Sequence, residues 1–131
     1  MLRRIASGIF LLTGIAIGLG AFGHDSNAAR LAIAFAKVPD IDAQTVSIVL
    51  AVWHFCSGCM LVFGAICIRI WWRARQGRAD FAPADLIAVL YVASGALTVA
   101  YTGMRFFWVF VVLGITLFVS SLPLRARPAP P

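Results

Sequence analysis

The sequence predicts an all-α membrane protein, a bundle of four transmembrane helices. Hydrophobic residues make up 62% of its 131 positions, against about 45–50% in soluble domains. Four apolar runs each approach the length of about 20 residues that a helix needs to cross a bilayer. They are Ile5–Gly23, Val46–Ile70, Leu86–Met104 and Phe106–Leu122. The short loops leave no room for a soluble domain, so we expect one transmembrane domain, 1–122, and a disordered, basic, proline-rich tail, 123–131.

The first run follows two arginines and contains Gly14 and Gly18. Two glycines four positions apart let a neighbouring helix approach closely, so we expect a helix-packing site there. With small residues near Ala28, this stretch also resembles a signal peptide. Its apolar part is longer than a usual signal core, and we therefore expect a retained membrane helix.

Residues 28–38 are too few to span a bilayer, yet Leu31 and Phe35 recur at helical spacing. This pattern predicts a short interfacial helix on the outer face, between the first and second spans. Ser26 or Asn27 is expected to cap it.

The remaining helices carry recognisable terminal signals. Asp42 suits the N-terminus of the second span, and Trp71, followed by arginines, is typical of a membrane-interface anchor. Pro83 fits the first turn of the third span. Only residues 103–105 separate the third and fourth spans, which predicts a tight antiparallel hairpin. We expect the fourth helix to end before Pro123.

The net charge is +6, and its distribution predicts the orientation. If the helices alternate, eight basic residues lie on one side: Arg3, Arg4, Arg69, Arg73, Arg75, Arg78, Arg125 and Arg127. Three lie on the other: Arg30, Lys37 and Arg105. The positive-inside rule then places both termini in the cytoplasm of a bacterium, with the chain in the inner membrane. The basic side is expected to meet anionic headgroups and to bind no nucleic acid.

His54 is the first candidate site residue, at roughly a dozen ångströms below the outer surface. We favour a neutral imidazole bonded to a hydroxyl of another helix. The alternative is a ligand, a proton carrier or part of a binding pocket, since ionisable groups inside membranes are often functional.

Cys56 and Cys59 form a CxxC motif, which in oxidoreductases supplies an attacking and a resolving thiol. The chain resembles four-helix quinone-linked thiol oxidases in size and topology. Those enzymes, however, use two cysteine pairs near the surface, whereas this pair lies inside an apolar helix where thiolates are disfavoured. A thiol-based redox protein is therefore an alternative rather than the favoured function.

His24 and Asp25 form the second candidate, where the first helix meets the outer interface. A carboxylate beside a histidine can fix its tautomer, although adjacent residues on a helix do not face each other. His24 and His54 together make haem ligation an alternative, but no cofactor is the favoured expectation. The histidines, Asp25 and the cysteines lack the spacing of a metal site.

A polar stripe on the third span is the third candidate. Its members follow steps of three or four residues: Tyr91, Ser94, Thr98, Thr102 and Arg105. We favour helix packing, with the hydroxyls bonded to local backbone carbonyls. The alternative is a polar groove, a candidate binding pocket shared with His54, in which Arg105 binds an anion.

The segment Gly20–His24, followed by Trp53 and His54, resembles small uncharacterised bacterial inner-membrane proteins with four helices. The resemblance implies a bundle fold and no established activity.

The sequence contains no phosphate-binding loop, nucleophile elbow or zinc-protease motif. We therefore expect a non-enzymatic membrane protein, an accessory or structural subunit that forms a homo-oligomer or joins a larger complex. The alternatives are a transporter or binder of a small hydrophobic or anionic molecule, and a haem- or thiol-based redox protein.

Overall fold

The structure, a computed structural model, describes residues 1–125 and is all-helical over that range. Its helices are α1 (Leu2–Asp25), α2 (Ala28–Phe35), α3 (Ala43–Arg75), α4 (Ala82–Thr102) and α5 (Trp108–Arg125), with a 3₁₀ turn at Arg105–Phe107. All but α2 are long and apolar enough to cross a membrane. This confirms the predicted all-α architecture with four candidate spans and indicates a multi-pass membrane protein.

The bundle has two different ends. At one end, α1 begins, α5 ends and the loop 76–81 joins α3 to α4. We call it the basic end because arginines cluster there. The opposite end carries α2 and the turn between α4 and α5, and we call it the α2 end. Around the bundle, α1 packs against α3 and α5, and α5 packs against α4, whereas α3 and α4 touch each other little.

The packed core lies towards the basic end. Its most deeply buried side chains come from α1, α3, α4 and α5: Phe10, Ile17, Cys67, Ala84 and Leu117. In α4, no residue after Gly95 is buried. In α3, no residue before Ser57 is buried. The α2 end is therefore the open part of the bundle.

Glycines bring the helices together in pairs. Gly14 and Gly18 of α1 face Gly64 of α3, as a packing role for this spacing requires. In the second pair, Gly114 of α5 lies against the carbonyl of Ala88 in α4. Without a side chain at these positions the two backbones can approach more closely than larger residues would allow.

The predicted hairpin between the last two long helices is present. Gly103 adopts φ of 68°, in the left-handed region where glycine carries no steric penalty. Its N–H donates to the carbonyl of Val99 and ends α4. At the loop of the basic end, Gly77 has φ of 70° and makes the corresponding turn after α3.

The end of α5 differs from the prediction. The helix passes through Pro123 and ends at Arg125. Proline removes one backbone donor and its ring crowds the carbonyl four residues earlier. The Arg125 guanidinium holds this last turn by donating to Asp85 of α4 and to Ser121. The predicted tail therefore loses its first three residues to the helix, and the rest of it, 126–131, lies outside the described residues.

The start of α2 also differs from the prediction. The side chains of Ser26 and Asn27 both donate to the carbonyl of Gly23, where they close the end of α1 instead of capping α2. A side-chain cap is present on α3, where Asp42 accepts a hydrogen bond of 2.8 Å from the Thr45 N–H.

The length of α3 determines where His54 lies relative to the end of α1. This helix has 33 residues and is about 50 Å long. The Trp53 indole donates to the carbonyl of His24, which places the end of α1 level with residue 53. Residues 43–52 thus extend about 15 Å past the end of α1. His54 lies at the level of that end and is exposed on the surface of the bundle.

Candidate functional site

The end of α1 is fastened to α3 through His24. Its imidazole stacks on the Trp53 indole, with ring centroids 4.0 Å apart and planes inclined by 15°. Its Nδ1 lies 2.9 Å from the Ser57 hydroxyl, which itself donates to the Trp53 carbonyl. The Ser57 hydroxyl thus lies between His24 and the Trp53 carbonyl, and His24 Nε2 has no hydrogen-bond partner among residues 1–125.

The neighbouring histidine has a different partner. His54 Nδ1 lies 2.6 Å from Asp25 Oδ1, and each side chain is about half exposed. The partners differ from the sequence-based expectation, since His24 bonds the hydroxyl of another helix and Asp25 pairs with His54 instead of with its neighbour. Each imidazole has a protein partner at Nδ1, which leaves only the Nε2 atoms for the haem alternative.

Two cavities occupy the open α2 end of the bundle. One has a volume of about 740 Å³ and lies between α1, α2, α3 and α5; the other has about 320 Å³ and lies between α3, α4 and α5. They share four wall residues: His24, Met60, Phe107 and Phe110. We call the two together the outer cleft. Its volumes fall in the range of small-molecule sites.

The larger cavity has one polar end. Asn27 and Arg30 of the α1–α2 region line it beside His24, whereas its other wall residues are apolar apart from the Trp53 indole nitrogen, which already has a partner. Arg30 forms no ion pair with any residue between 1 and 125. A cavity with this distribution of polarity suits an amphipathic molecule whose polar group lies near α2.

One wall residue of the smaller cavity has a buried, unpaired donor. Tyr91 is only 4% exposed, and its hydroxyl has no hydrogen-bond partner within the described chain. The ring is held by Phe63 and Phe110, at centroid distances of 6.4 and 5.6 Å. An unsatisfied buried donor costs about 1–3 kcal/mol. A ligand acceptor that reached this hydroxyl, after the side chains covering it moved, would recover that free energy.

The predicted polar stripe divides at this cavity. Tyr91, Ser94 and Thr98 line it, together with Cys56 and Cys59. The Thr98 hydroxyl donates to the Ser94 carbonyl, as expected for hydroxyls on apolar helices.

Three residues predicted for the same pocket lie elsewhere. Thr102 donates to the Thr98 carbonyl and accepts from the Met104 N–H, so that it closes the end of α4. Arg105 begins the 3₁₀ turn and is exposed. His54 pairs with Asp25. None of the three lines either cavity.

Sequence reasoning missed the central place of His24 and the partners that hold it. The signal available was the spacing of Trp53 and Ser57, one helical turn apart on a face that a histidine from another helix can meet. The sequence also offered no reason to single out Phe107 and Phe110, which form aromatic walls of both cavities.

Among residues 1–125, no three side chains of His, Cys, Asp or Glu come together as a potential metal site. Cys56, Cys59 and Cys67 are all free thiols.

Comparison with protein-family models, with curated proteins and with solved structures finds no match for this chain.

Proposed function

We propose that this protein is a non-enzymatic membrane protein that binds a small, mostly apolar molecule carrying a hydrogen-bond acceptor in the outer cleft. The buried and unpartnered Tyr91 hydroxyl is the observation that carries the proposal. The apolar walls would hold the body of the ligand, and Tyr91 would donate to its acceptor. Asn27, Arg30 and the free Nε2 of His24 provide further polar contacts near α2.

The cleft supports entry of the ligand from the bilayer. α3 and α4 touch each other little, and the wall residues Leu90 and Ser94 are exposed on the outside of the bundle. A ligand that partitions into lipid would reach the cleft sideways between these helices, without crossing the polar residues at the end.

The test is to purify the protein from its native membrane in a mild detergent and to identify the co-extracted small molecules by mass spectrometry. Tyr91→Phe is the informative variant and Tyr101→Phe its matched control, because Tyr101 is 95% exposed. We expect a stoichiometric molecule with the native chain and the control, and about tenfold less with Tyr91→Phe. Equal amounts in both variants, or no such molecule, would contradict the proposal.

Tyr91→Phe has a second expected effect of opposite sign. In the ligand-free protein it removes an unsatisfied donor, so thermal stability should be unchanged or higher. This result separates a ligand-binding role from a purely structural one, because removing a hydroxyl that holds the structure together would lower thermal stability.

An accessory or structural role in a complex is a second candidate. Residues 43–52 of α3 extend past the end of α1, and Ile48 and Val52 there are each 55% exposed. Beside them α2 exposes Ile33. Where exposed apolar side chains lie outside the bilayer, they are typical of an interaction surface. Mass measurement of the intact protein in mild detergent would show a homo-oligomer or a partner, and a monomer in several detergents would argue against this role.

The proposed location is the bacterial inner membrane, with both termini in the cytoplasm. The distribution of eight basic residues against three supports it. A reporter inserted in the loop 76–81 should respond as a cytoplasmic protein, and one inserted at 103–105 as an external one.

A further inference from the structure

We infer a second binding site, for a phosphate-bearing anion, at the basic end of the bundle. A cavity of about 720 Å³ lies there between the first turns of α1, the last turns of α3 and the end of α5. It is separate from the outer cleft, with which it shares no residue.

The cavity is lined by three guanidinium groups and by no carboxylate. Arg3, Arg4 and Arg75 all contribute to its wall, and none of them forms an ion pair with another residue of the described chain. The two carboxylates nearest in sequence to this end are engaged elsewhere, because Asp85 accepts from Arg125 and Asp80 accepts from the Ala82 N–H. The charge around the cavity is therefore uncompensated.

One wall is ordered by contacts between α1 and α3. The Trp71 indole donates to the Ser7 hydroxyl at 2.9 Å, and the Arg75 guanidinium lies over the Trp71 ring at 5.1 Å from its centroid. Arg75 is thereby held against an aromatic face that is itself fixed to α1. Guanidinium groups presented in this way suit phosphate oxygens, which they can contact through two parallel hydrogen bonds.

The cavity also has apolar wall residues. Leu11 lies on α1 one turn beyond Ser7, towards the bundle centre, and Leu124 contributes from α5. At Gly8 the wall is open, because a Cβ atom there would meet nothing within 4 Å. Cationic groups at the helix ends beside an apolar slot match a phosphate with an attached hydrocarbon chain, as in an anionic phospholipid. Phosphate itself is the shared chemistry, which a free phosphate would also supply.

The experiment uses the full chain in detergent and measures binding of phosphatidylglycerol, phosphatidylcholine and inorganic phosphate by mass spectrometry of the intact protein and by competition. The cavity variant is Arg3→Gln with Arg4→Gln and Arg75→Gln. Its control, Arg69→Gln with Arg73→Gln and Arg78→Gln, removes the same charge from the same end outside the cavity. A third variant, Gly8→Leu, keeps every charge and fills the slot.

We expect phosphatidylglycerol to bind in preference to phosphatidylcholine, and the cavity variant to bind it at least about tenfold more weakly. The control should be unaffected, and Gly8→Leu should weaken lipid binding while circular dichroism shows an intact helical fold. Binding of inorganic phosphate that the cavity variant alone loses also supports the site and assigns it to free phosphate. Equal losses in the two triple variants would overturn the inference, and so would the absence of both a preference for phosphatidylglycerol and phosphate binding that the cavity variant alone loses.

Discussion

Gly64 of α3 lies directly against Gly18 of α1, and a Cβ atom built at Gly64 would be only 2.6 Å from the Gly18 Cα atom. It would also lie 2.9 Å from the Gly14 carbonyl oxygen. Both neighbours belong to backbone and cannot rotate away. The contact between α1 and α3 is therefore set by backbone proximity.

Gly64→Ala should separate α1 from α3 and destabilise the bundle by about 1–3 kcal/mol, the usual cost of overpacking. Unfolding by a denaturing detergent, followed by circular dichroism, measures the change. Gly58→Ala is the matched control on the same helix, because a Cβ atom there would meet nothing within 4 Å. Equal stability of the two variants would mean that this contact does not hold the helices together.

The two histidines should contribute very differently to stability. His24→Ala removes the stacking on Trp53 and the hydrogen bond to Ser57, so we expect a loss of about 1–3 kcal/mol. Asp25→Asn weakens only the half-exposed pair with His54, and pairs of that kind contribute up to about 1 kcal/mol. Thermal unfolding of both variants in one detergent tests this order, and the reverse order would refute it.

Arg125 should stabilise the last turn of α5. Its guanidinium donates to Asp85 and Ser121 and lies within 5.6 Å of the centroids of two phenylalanine rings, Phe81 and Phe118. Arg125→Gln is expected to cost about 1 kcal/mol, since the ion pair is one-third exposed.

Hydrogen exchange of the backbone amides on either side of Pro123, at residues 121, 122, 124 and 125, provides the local measurement for Arg125→Gln. Arg73→Gln removes an equal charge at the same end and has no ion pair in the described chain. The amides should exchange faster in the first variant and at the native rate in the second; identical exchange would show that Pro123 is tolerated without this side chain.

The N-terminus of α3 should depend on pH. Hydrogen bonds from the side chain and the backbone of Thr45 lower the pKa of Asp42 below its usual value. The carboxylate cap therefore contributes its stability above the unfolded-state pKa and loses it as the pH falls through the lower, folded-state pKa. Two measurements test this: NMR titration of the Asp42 carboxyl and hydrogen exchange of the Thr45 amide. Protonation of Asp42 and faster exchange of the Thr45 amide should occur over the same pH range. An amide that stays protected after Asp42 is protonated would contradict this.

The four apolar helices were predictable because crossing a bilayer imposes a length and a composition on each segment separately. The turn at Gly103 and the packing spacing of Gly14 and Gly18 are local signals too. The same reasoning failed at Pro123, since the side chain that holds the last turn, Arg125, has a partner 40 residues away on α4.

The candidate sites were much less accessible to sequence reasoning. Tyr91, Ser94 and Thr98 share a helix face, so their grouping follows from spacing alone. His24 lines the same cavity as these three residues, whereas His54 and Arg105 do not. This outcome depends on how far α3 extends past α1 and on how each helix is rotated about its axis. The three arginines at the basic end likewise gather around one cavity only because α1 and α3 meet there.

The sequence by itself determined the number of spanning helices, their approximate limits and the distribution of charge, because each of these follows from the solvation of one segment. Only the tertiary structure decided which polar side chains meet. The tight packing of α1 against α3 and of α4 against α5, with little contact between α3 and α4, leaves room for the outer cleft. Which side chains meet depends on the rotation and spacing of the helices, and residues far apart in the chain determine both.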